Sequence, residues 1–302
     1  MRTRLDLADI QGNILLGFGL PHARHEFVRV EDGAAGRAWL GRLADQVSDA
    51  RLQVTKPTTG LNVGISAAAL IALGLPRATV ARFAPEFVEG MPARAAQLAD
   101  SGPSDPSLWR SAFRPGDDGR NPPLIVVSGY ADDPDRLGSV IDRALDRCGS
   151  PGLPRVHTLT VQRHGDGREH FGFADGFAQP AVAGTPRRRD KPSPAATSPG
   201  RPLPPGEFLL GHRDVEYALP LAPSGPLGRN GTYMVYRELA QDVGAFRDYL
   251  RGQANLCGLS ETAVAAKMVG RWPDGSPLVE FPDRPDPTLV ERNDPRLNGF
   301  GY

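Results

Sequence analysis

The stretch from Pro123 to Gly149, PLIVVSGYADDPDRLGSVIDRALDRCG, constrains the fold most, because a strand and a helix follow each other there without a gap. PLIVVSGYA is almost wholly apolar and rich in β-branched residues, which is typical of a buried strand. Asp133 followed by Pro134 is a strong helix start, and Leu137 and Ile141 continue one apolar stripe. The stretch therefore predicts a helix that covers one face of a sheet.

The same order of elements occurs upstream. HEFVRV (residues 25–30) predicts a strand, and residues 36–47 follow with apolar side chains at helical spacing. GLNVGI (residues 60–65) predicts a second strand, after which Ser66 is placed to cap a helix that Gly74 ends.

RVHTLTVQ (residues 155–162) alternates apolar and polar residues, as a half-buried strand does. The sum is βαβ, an insertion and βαβ, which predicts an α+β fold of the ferredoxin-like type. At 302 residues the chain has room for two packed units. We expect an N-terminal ferredoxin-like domain over residues 1–154 and a second domain over residues 155–302.

A second cycle begins at GTYMVYREL (residues 231–239), which predicts a strand. Asp242 and Ser260 are each placed to cap a helix, and Gly270 to end the second one. RWPDGSPLVEFPD is rich in turn residues and ends in a short strand candidate. Because little chain follows, the second ferredoxin-like domain is predicted to be incomplete.

Residues 185–207, TPRRRDKPSPAATSPGRPLPPGE, are rich in proline and poor in apolar residues, which predicts a flexible loop. The run RRRDK could bind a phosphate, but a solvated charge run is the commoner interpretation. A loop of this length could also serve as a lid.

Net charge, cysteine content and the N-terminus give no reason to expect nucleic acid, a membrane or a disulfide-bonded secreted protein. Lys plus Arg and Asp plus Glu number 35 each, so net charge gives no reason to expect nucleic acid or an anionic membrane. The N-terminus shows no signal-peptide core, and Cys148 and Cys257 form no disulfide framework or CxxCH motif. We expect a cytoplasmic protein; the oligomeric state, a homo-oligomer included, stays open.

The stretch HFGFADGFAQP (residues 170–180) holds one carboxylate, Asp175, among small and aromatic residues. Asp-Gly alone is a turn signal, and a turn is the plain interpretation. However, Gly172 and Gly176 would let a flat partner approach the backbone closely, and the phenylalanines supply aromatic walls. A carboxyl desolvated in this way suits proton transfer, so Asp175 is an acid/base candidate.

GFADGFAQP (residues 172–180) resembles the GxxDG signature of the dye-decolourising (DyP-type) haem peroxidases, in their longer, cytoplasmic type. The resemblance extends to DIQGNILLGFGLPHA (residues 9–23), GREHFGFADG (residues 167–176), GTYMVYRELAQDVGAF (residues 231–246) and AAKMVGRWPDGSPL (residues 265–278). It implies tandem ferredoxin-like domains of the dimeric α+β barrel type, with haem b in a cavity of the second.

The resemblance also implies the site and the reaction. Asp175 would be the distal acid/base that moves a proton between the two peroxide oxygens, and Asp175, Gly176 and Phe177 would contact the haem. Hydrogen peroxide and bulky organic reductants such as dyes and phenolics would be the substrates. An aspartate with an ordinary pKa near about 4 would favour mildly acidic pH.

The family's proximal histidine and distal arginine are expected beyond Tyr302, so no metal ligand is assigned within the chain. None of His157, His164, His170 and His212 is assigned as a replacement for the iron ligand. Haem needs an axial ligand, so weak haem binding by this polypeptide alone is expected. The alternative is a truncated, non-catalytic relative or binding module.

Overall fold

The computed structural model describes residues 5–15, 17–51, 57–116, 119–146, 148, 151–163, 165, 167–174, 181–185 and 202–288. These residues fall into two compact units. The first unit consists of the described residues of 1–162 and 204–234, and the second of those of 163–203 and 235–302.

Four antiparallel strands form the sheet of the first unit. Their bounds are His22–Arg29 (β1), Thr59–Ile65 (β2), Leu124–Ala131 (β3) and Arg155–Gln162 (β4). β1 pairs with both β3 and β4, and β2 pairs with β3, which gives the order β2-β3-β1-β4. With helices after β1 and β3, this is the ferredoxin-like arrangement that the sequence predicts.

The described residues contain eight α-helices, six in the first unit and two in the second. Their bounds are Gly12–Leu15 (α1), Gly33–Ala44 (α2), Ala67–Ala72 (α3), Arg77–Val80 (α4), Pro85–Ala93 (α5), Pro134–Ala144 (α6), Val243–Cys257 (α7) and Glu261–Val269 (α8). Across the described part of the chain, no helix is long and apolar enough to cross a membrane. The mixture of helices with an antiparallel sheet confirms the α+β class.

The core of the first unit lies between the sheet and helices α2 and α6. Trp39 and Leu43 of α2 and Ile141 of α6 are each 1% exposed and pack in one cluster with strand residues such as Ile125. The Trp39 indole Nε1 donates a hydrogen bond of 2.9 Å to the Ala144 carbonyl oxygen. One buried hydrogen bond therefore joins α2 to the end of α6.

The helix starts predicted from the sequence are confirmed. Ser66 Oγ accepts from the Ala69 N–H at 3.1 Å, and Asp133 Oδ1 accepts from the Arg136 N–H at 2.9 Å. In the second unit Asp242 and Ser260 accept in the same way from residues three positions ahead, at 2.8 and 3.1 Å. Such caps satisfy N–H groups that the first helical turn leaves without a partner.

The sheet face that is turned away from α2 and α6 carries a polar cluster. His25 Nδ1 lies 2.8 Å from Ser128 Oγ, and the ring of Tyr130 meets His25 edge-on at 6.1 Å. Burial lowers the pKa of the His25 imidazole and raises the pKa of the Tyr130 hydroxyl. The folded protein therefore favours neutral His25.

The strand predicted for GTYMVYREL is wrong. Residues 231–239 form no strand in the structure. Instead, the Tyr233 hydroxyl accepts from the Ala84 N–H at 2.9 Å and donates to the Leu221 carbonyl, while Met234 and Leu239 are 53% and 71% exposed. A strand needs a ladder of bonds to a neighbouring backbone. The described contacts of this segment are instead a single backbone bond, from the Leu210 N–H to the Gly231 carbonyl, and contacts of side chains such as Tyr233.

The short strand predicted at the end of RWPDGSPLVEFPD is wrong as well. The Leu278 N–H donates to the Gly270 carbonyl at 3.0 Å, and the Phe281 N–H donates to the Pro277 carbonyl at 3.1 Å. These hydrogen bonds join residues that are close in the sequence, so the segment forms turns although its apolar residues follow the pattern of a strand.

The division at residues 154 and 155 stays a prediction about domains, and the two compact units have other limits. β4 belongs to the first unit because it pairs with β1. The fully buried Glu26 of β1 strengthens this pairing, since its carboxylate accepts from Arg155 Nη2 at 3.0 Å and from Thr158 Oγ1 at 2.6 Å.

Replacing Trp39 by Phe is expected to lower the free energy of unfolding by about 2 to 3 kcal/mol, because the buried Ala144 carbonyl loses its donor. Trp109→Phe is the matched control, since Trp109 Nε1 also donates to a carbonyl, that of Ser104 at 2.8 Å, but at an exposed position. Denaturant unfolding measures both. Equal losses in the two variants would contradict the role of the buried bond.

The free energy of unfolding is expected to fall as the pH drops below about 6.5, the pKa of an unperturbed histidine. Because the folded state lowers the pKa of His25, the unfolded chain binds the proton more readily in this window. The slope from one such group is at most about 1.4 kcal/mol per pH unit, and partial exposure of the ring lowers it. His25→Gln should flatten the curve in denaturant unfolding between pH 5 and pH 8 by roughly that slope; an unchanged curve would rule His25 out.

Candidate functional site

Asp175, Gly176 and Phe177, to which the sequence assigns the site, lie outside the described residues. The description reaches Ala174, the residue directly before Asp175. Several hydrogen-bonding groups hold the backbone of residues 168–174. These groups belong to two turns of the second unit.

Residues 168–174, here the first turn, fold back on themselves. The Glu169 N–H donates to the Phe173 carbonyl, and the Gly172 N–H donates to the Glu169 carbonyl, both at 2.9 Å. Arg168 and Ala174 face each other in an isolated antiparallel bridge. Gly172 has a φ of 98°, which residues with a side chain rarely adopt, so the turn depends on glycine there.

The carboxylate of Glu169 accepts hydrogen bonds from two backbone amides of the first turn. Its Oε2 accepts from the Phe171 N–H and its Oε1 from the Phe173 N–H, both at 2.8 Å. Hydrogen bonds to an ionised acceptor are stronger than neutral ones. One side chain with two acceptor oxygens therefore fixes two amides of the segment that leads to Asp175.

Arg168 ties the first turn to a distant part of the chain. Its Nη1 donates to the Gly172 carbonyl at 2.8 Å and to the Pro273 carbonyl at 2.5 Å. The Ala174 N–H donates to the same Pro273 carbonyl at 2.9 Å. The Pro273 carbonyl thus accepts from both Arg168 and Ala174, and Ala174 is the last described residue before Asp175.

Residues 271–277, here the second turn, repeat the geometry of the first. Arg271 Nη1 donates to the Gly275 carbonyl at 2.9 Å, and Gly275 also has a φ of 98°. The Trp272 N–H donates to the Ser276 carbonyl at 2.9 Å, and Arg271 forms a bridge with Pro277. Each of these bonds has a counterpart in the first turn, so the two turns have the same hydrogen-bond pattern.

The second turn is anchored by buried side chains. Trp272 is 4% exposed and its Nε1 donates to the Phe281 carbonyl at 2.8 Å. The hydroxyl of the fully buried Ser276 donates to the Asp286 carbonyl and accepts from the Asp286 N–H, at 3.2 and 3.1 Å. The turn that carries the Pro273 carbonyl is therefore held by the buried side chains of Trp272 and Ser276.

Aromatic side chains attach the first turn to α7 and α8. Phe173 is buried in one apolar cluster with Leu250 of α7 and Val264 of α8. The rings of Phe171 and Phe246 meet with centroids 4.9 Å apart at an interplanar angle of 66°. Two of the predicted aromatic walls thus pack against the helices of their own unit.

The histidines considered from the sequence have other surroundings. His212 Nε2 lies 2.7 Å from Asn230 Oδ1, and Asn230 donates to Asp9 at 2.7 Å, all within the first unit. His157 packs against the rings of Phe27 and Phe113. His170 is exposed in the first turn, and His164 lies outside the described residues. Among the residues that the structure describes, no cluster of three or more His, Cys, Asp and Glu could hold a metal ion.

Sequence reasoning gave no role to Arg168, Glu169 or Arg271, although all three lie in stretches that carry the resemblance. A signal was present in the spacing, because Arg-x-x-x-Gly occurs at residues 168–172 and again at residues 271–275. The same spacing also occurs at residues 29–33, 37–41 and 163–167, so it does not identify the turns by itself. The hydrogen bonds from Arg168 and Ala174 to the Pro273 carbonyl are seen only in the structure.

No family model matches the chain. Among curated proteins, the dye-decolourising peroxidase msp1 of Mycetinis scorodonius is 31% identical over 313 aligned positions, covering 99% of this chain and 56% of that protein. A dye-decolourising peroxidase of Mycena epipterygia is 30% identical over 312 positions, covering 99% and 54%. The chain thus spans a little over half the length of these curated relatives.

Solved structures agree with the curated relatives. A dye-decolourising peroxidase in complex with 2,6-dimethoxyphenol superimposes with a TM-score of 0.79 at 30% identity, covering 99% of this chain and 66% of that one. An ancestral D-type dye-decolourising peroxidase gives a TM-score of 0.80 at 27% identity, covering 99% and 64%. The sequence alignments and the structural superpositions each cover 99% of this chain. The chain therefore belongs to the dye-decolourising peroxidase family.

Proposed function

We propose that the chain acts in a haem peroxidase that uses hydrogen peroxide to oxidise bulky organic donors such as dyes and phenolics. The observation that carries this proposal is the match to dye-decolourising peroxidases along 99% of the chain. The complex of one relative with 2,6-dimethoxyphenol supports a phenolic donor. Both cysteines are free thiols, which suits a reducing compartment such as the cytoplasm.

One feature of the described residues before Asp175 is compatible with a haem close to the backbone. No atom lies within 4 Å of the Cβ position at Gly172, so the backbone there is open to a flat ligand. His25, His157 and His212 of the first unit contact neighbouring side chains, and none of them is proposed as the axial ligand. Asp175 is proposed to face the bound cofactor, with haem b as its proposed form.

Asp175 is the proposed acid/base. Its carboxylate would accept a proton from one peroxide oxygen and return it to the other, so that water can leave. Bound haem would supply the iron that reduces the oxygen–oxygen bond. Gly176 and Phe177, which follow in the sequence, are the proposed backbone contacts to the haem edge.

Asp175→Asn is expected to lower the rate of peroxide-dependent oxidation of 2,6-dimethoxyphenol by about a hundredfold or more per bound haem, because an amide cannot carry the proton. The chain is titrated with haemin, bound haem is quantified from the Soret band, and oxidation is followed after peroxide is added. Asp214→Asn is the control, since Asp214 accepts from the amides of Glu216 and Ala218 in a turn of the first unit.

The proposal is contradicted by either of two results. The chain could bind no haem specifically, or Asp175→Asn could turn over as fast per bound haem as the unaltered chain. Equal loss in Asp214→Asn would show that the effect is not specific to Asp175.

A further inference from the structure

We propose that one water molecule is bound inside the first unit, between the Asn62 amide oxygen and the Ser128 hydroxyl. The site lies on the sheet face that carries the polar cluster of His25 and Ser128. All of its residues belong to the first unit, and none of them takes part in the proposed peroxidase chemistry.

Asn62 has a buried acceptor without a partner. The residue lies in β2 and is 3% exposed, and its Oδ1 has no hydrogen-bond partner among the described residues. Leaving such an atom unpaired costs stability, and most buried polar atoms in folded proteins bind a protein group or an ordered water. The unpaired oxygen therefore indicates a ligand that donates a hydrogen bond.

The orientation of the Asn62 amide follows from its neighbours. Gln11 Nε2 donates to the Val63 carbonyl at 2.9 Å and Gln11 Oε1 accepts from the Val63 N–H at 2.8 Å, which fixes the Gln11 amide. Gln11 Oε1 and the Ser48 carbonyl then accept from Asn62 Nδ2, at 3.2 and 3.4 Å. A reversed Asn62 amide would turn its oxygen toward two acceptors, so the atom without a partner is the oxygen.

The strand register places Ser128 beside Asn62. Asn62 of β2 pairs with Ser128 of β3, and Ser128 pairs with His25 of β1, so the three residues form a row across one face of the sheet. Residues that are directly opposite each other in such a pair have Cβ atoms about 5 Å apart. Because the described residues show no direct bond from Ser128 to Asn62 Oδ1, a water between the two side chains would bridge them.

Ser128 has a hydrogen-bond position left for this water. A hydroxyl offers one donor and two acceptor positions. His25 Nδ1, at 2.8 Å, takes one position, and the Tyr130 hydroxyl, whose hydrogen bond with Ser128 limits the rise of its pKa, takes another. A water can donate to Ser128 or accept from it, so it fills the third position with either tautomer of His25 and still donates to Asn62 Oδ1.

Side chains close the site along β2. A Cβ added at Gly60, two residues before Asn62, would lie 2.7 Å from the Phe18 ring. A Cβ added at Gly64, two residues after Asn62, would lie 3.0 Å from the methyl group of Met234. A ligand at Asn62 is therefore enclosed and must be small.

The row of polar side chains also selects a neutral ligand. Asn62 and Ser128 carry no charge, and burial lowers the pKa of His25, which favours its neutral form. An ion bound there would be buried without an opposite charge, which is costly. Water meets all of these conditions.

A neutron crystal structure of the deuterated chain tests the site, because it shows deuterium atoms and distinguishes an amide oxygen from an amide nitrogen. The expected result is a heavy-water molecule that donates to Asn62 Oδ1 and lies about 2.7 to 3.0 Å from Ser128 Oγ. Asn230 is the matched control in the same map. It is 4% exposed, and its Oδ1 and Nδ2 pair with His212 and Asp9 at 2.7 Å each, so no water is expected at its amide.

Solution NMR gives a second readout. An enclosed water is expected to give nuclear Overhauser cross-peaks to the Asn62 side-chain amide protons, with the sign of slowly exchanging water. Ser128→Ala removes one of the two bridged groups, so this cross-peak should weaken by about fivefold or more. Ser139→Ala is the control, since the Ser139 hydroxyl donates to the Asp135 carbonyl on the exposed side of α6, and it should leave the cross-peak unchanged.

The proposal is overturned by a direct hydrogen bond from Ser128 Oγ to Asn62 Oδ1, by a reversed Asn62 amide, or by a neutron map with no water at this oxygen. An unchanged cross-peak in Ser128→Ala, or an equal loss in Ser139→Ala, would also contradict it. If Ser128→Ala does not fold, the unaltered chain decides, because the neutron map and its cross-peak need no variant.

Discussion

The hydrogen bonds that Arg168 donates to the Gly172 and Pro273 carbonyls join two turns that are 105 positions apart in the sequence. Among the described residues, the Ala174 N–H is the other donor to the Pro273 carbonyl, so loss of the guanidinium would leave one neutral bond there. Charge-assisted bonds between fixed groups are suited to hold a backbone in one place. The bonds to the Pro273 carbonyl attach the first turn, residues 168–174, to the second turn, residues 271–277.

The turns and the helices of the second unit form a continuous support. Phe173 sits in the apolar cluster of α7 and α8, while Trp272 and Ser276 fix the second turn. A catalytic carboxyl must be held within a fraction of an ångström to be useful, and packed aromatic side chains with satisfied hydrogen bonds provide such rigidity. The fold thus places a rigid frame at the edge of the residues that the family resemblance assigns to catalysis.

Local sequence signals predicted local structure well. A helix cap depends on residues three positions away, and the predicted caps are present at Ser66, Asp133, Asp242 and Ser260. Strands β1 to β4 lie where the apolar patterns predict them. GTYMVYREL has the composition of a strand, yet pairing depends on a neighbouring backbone that composition does not encode. The link from Arg168 to Pro273 was beyond prediction for the same reason, because its partner is set by the tertiary fold.

In the function proposed above, the Asp175 carboxyl moves a proton during peroxide reduction at a haem. Its most direct test is the pH dependence of kcat/KM for hydrogen peroxide, measured per bound haem in the unaltered chain and in Asp175→Asn. The account predicts a titrating limb in the unaltered chain that is absent from the variant. The same limb in both proteins would contradict it.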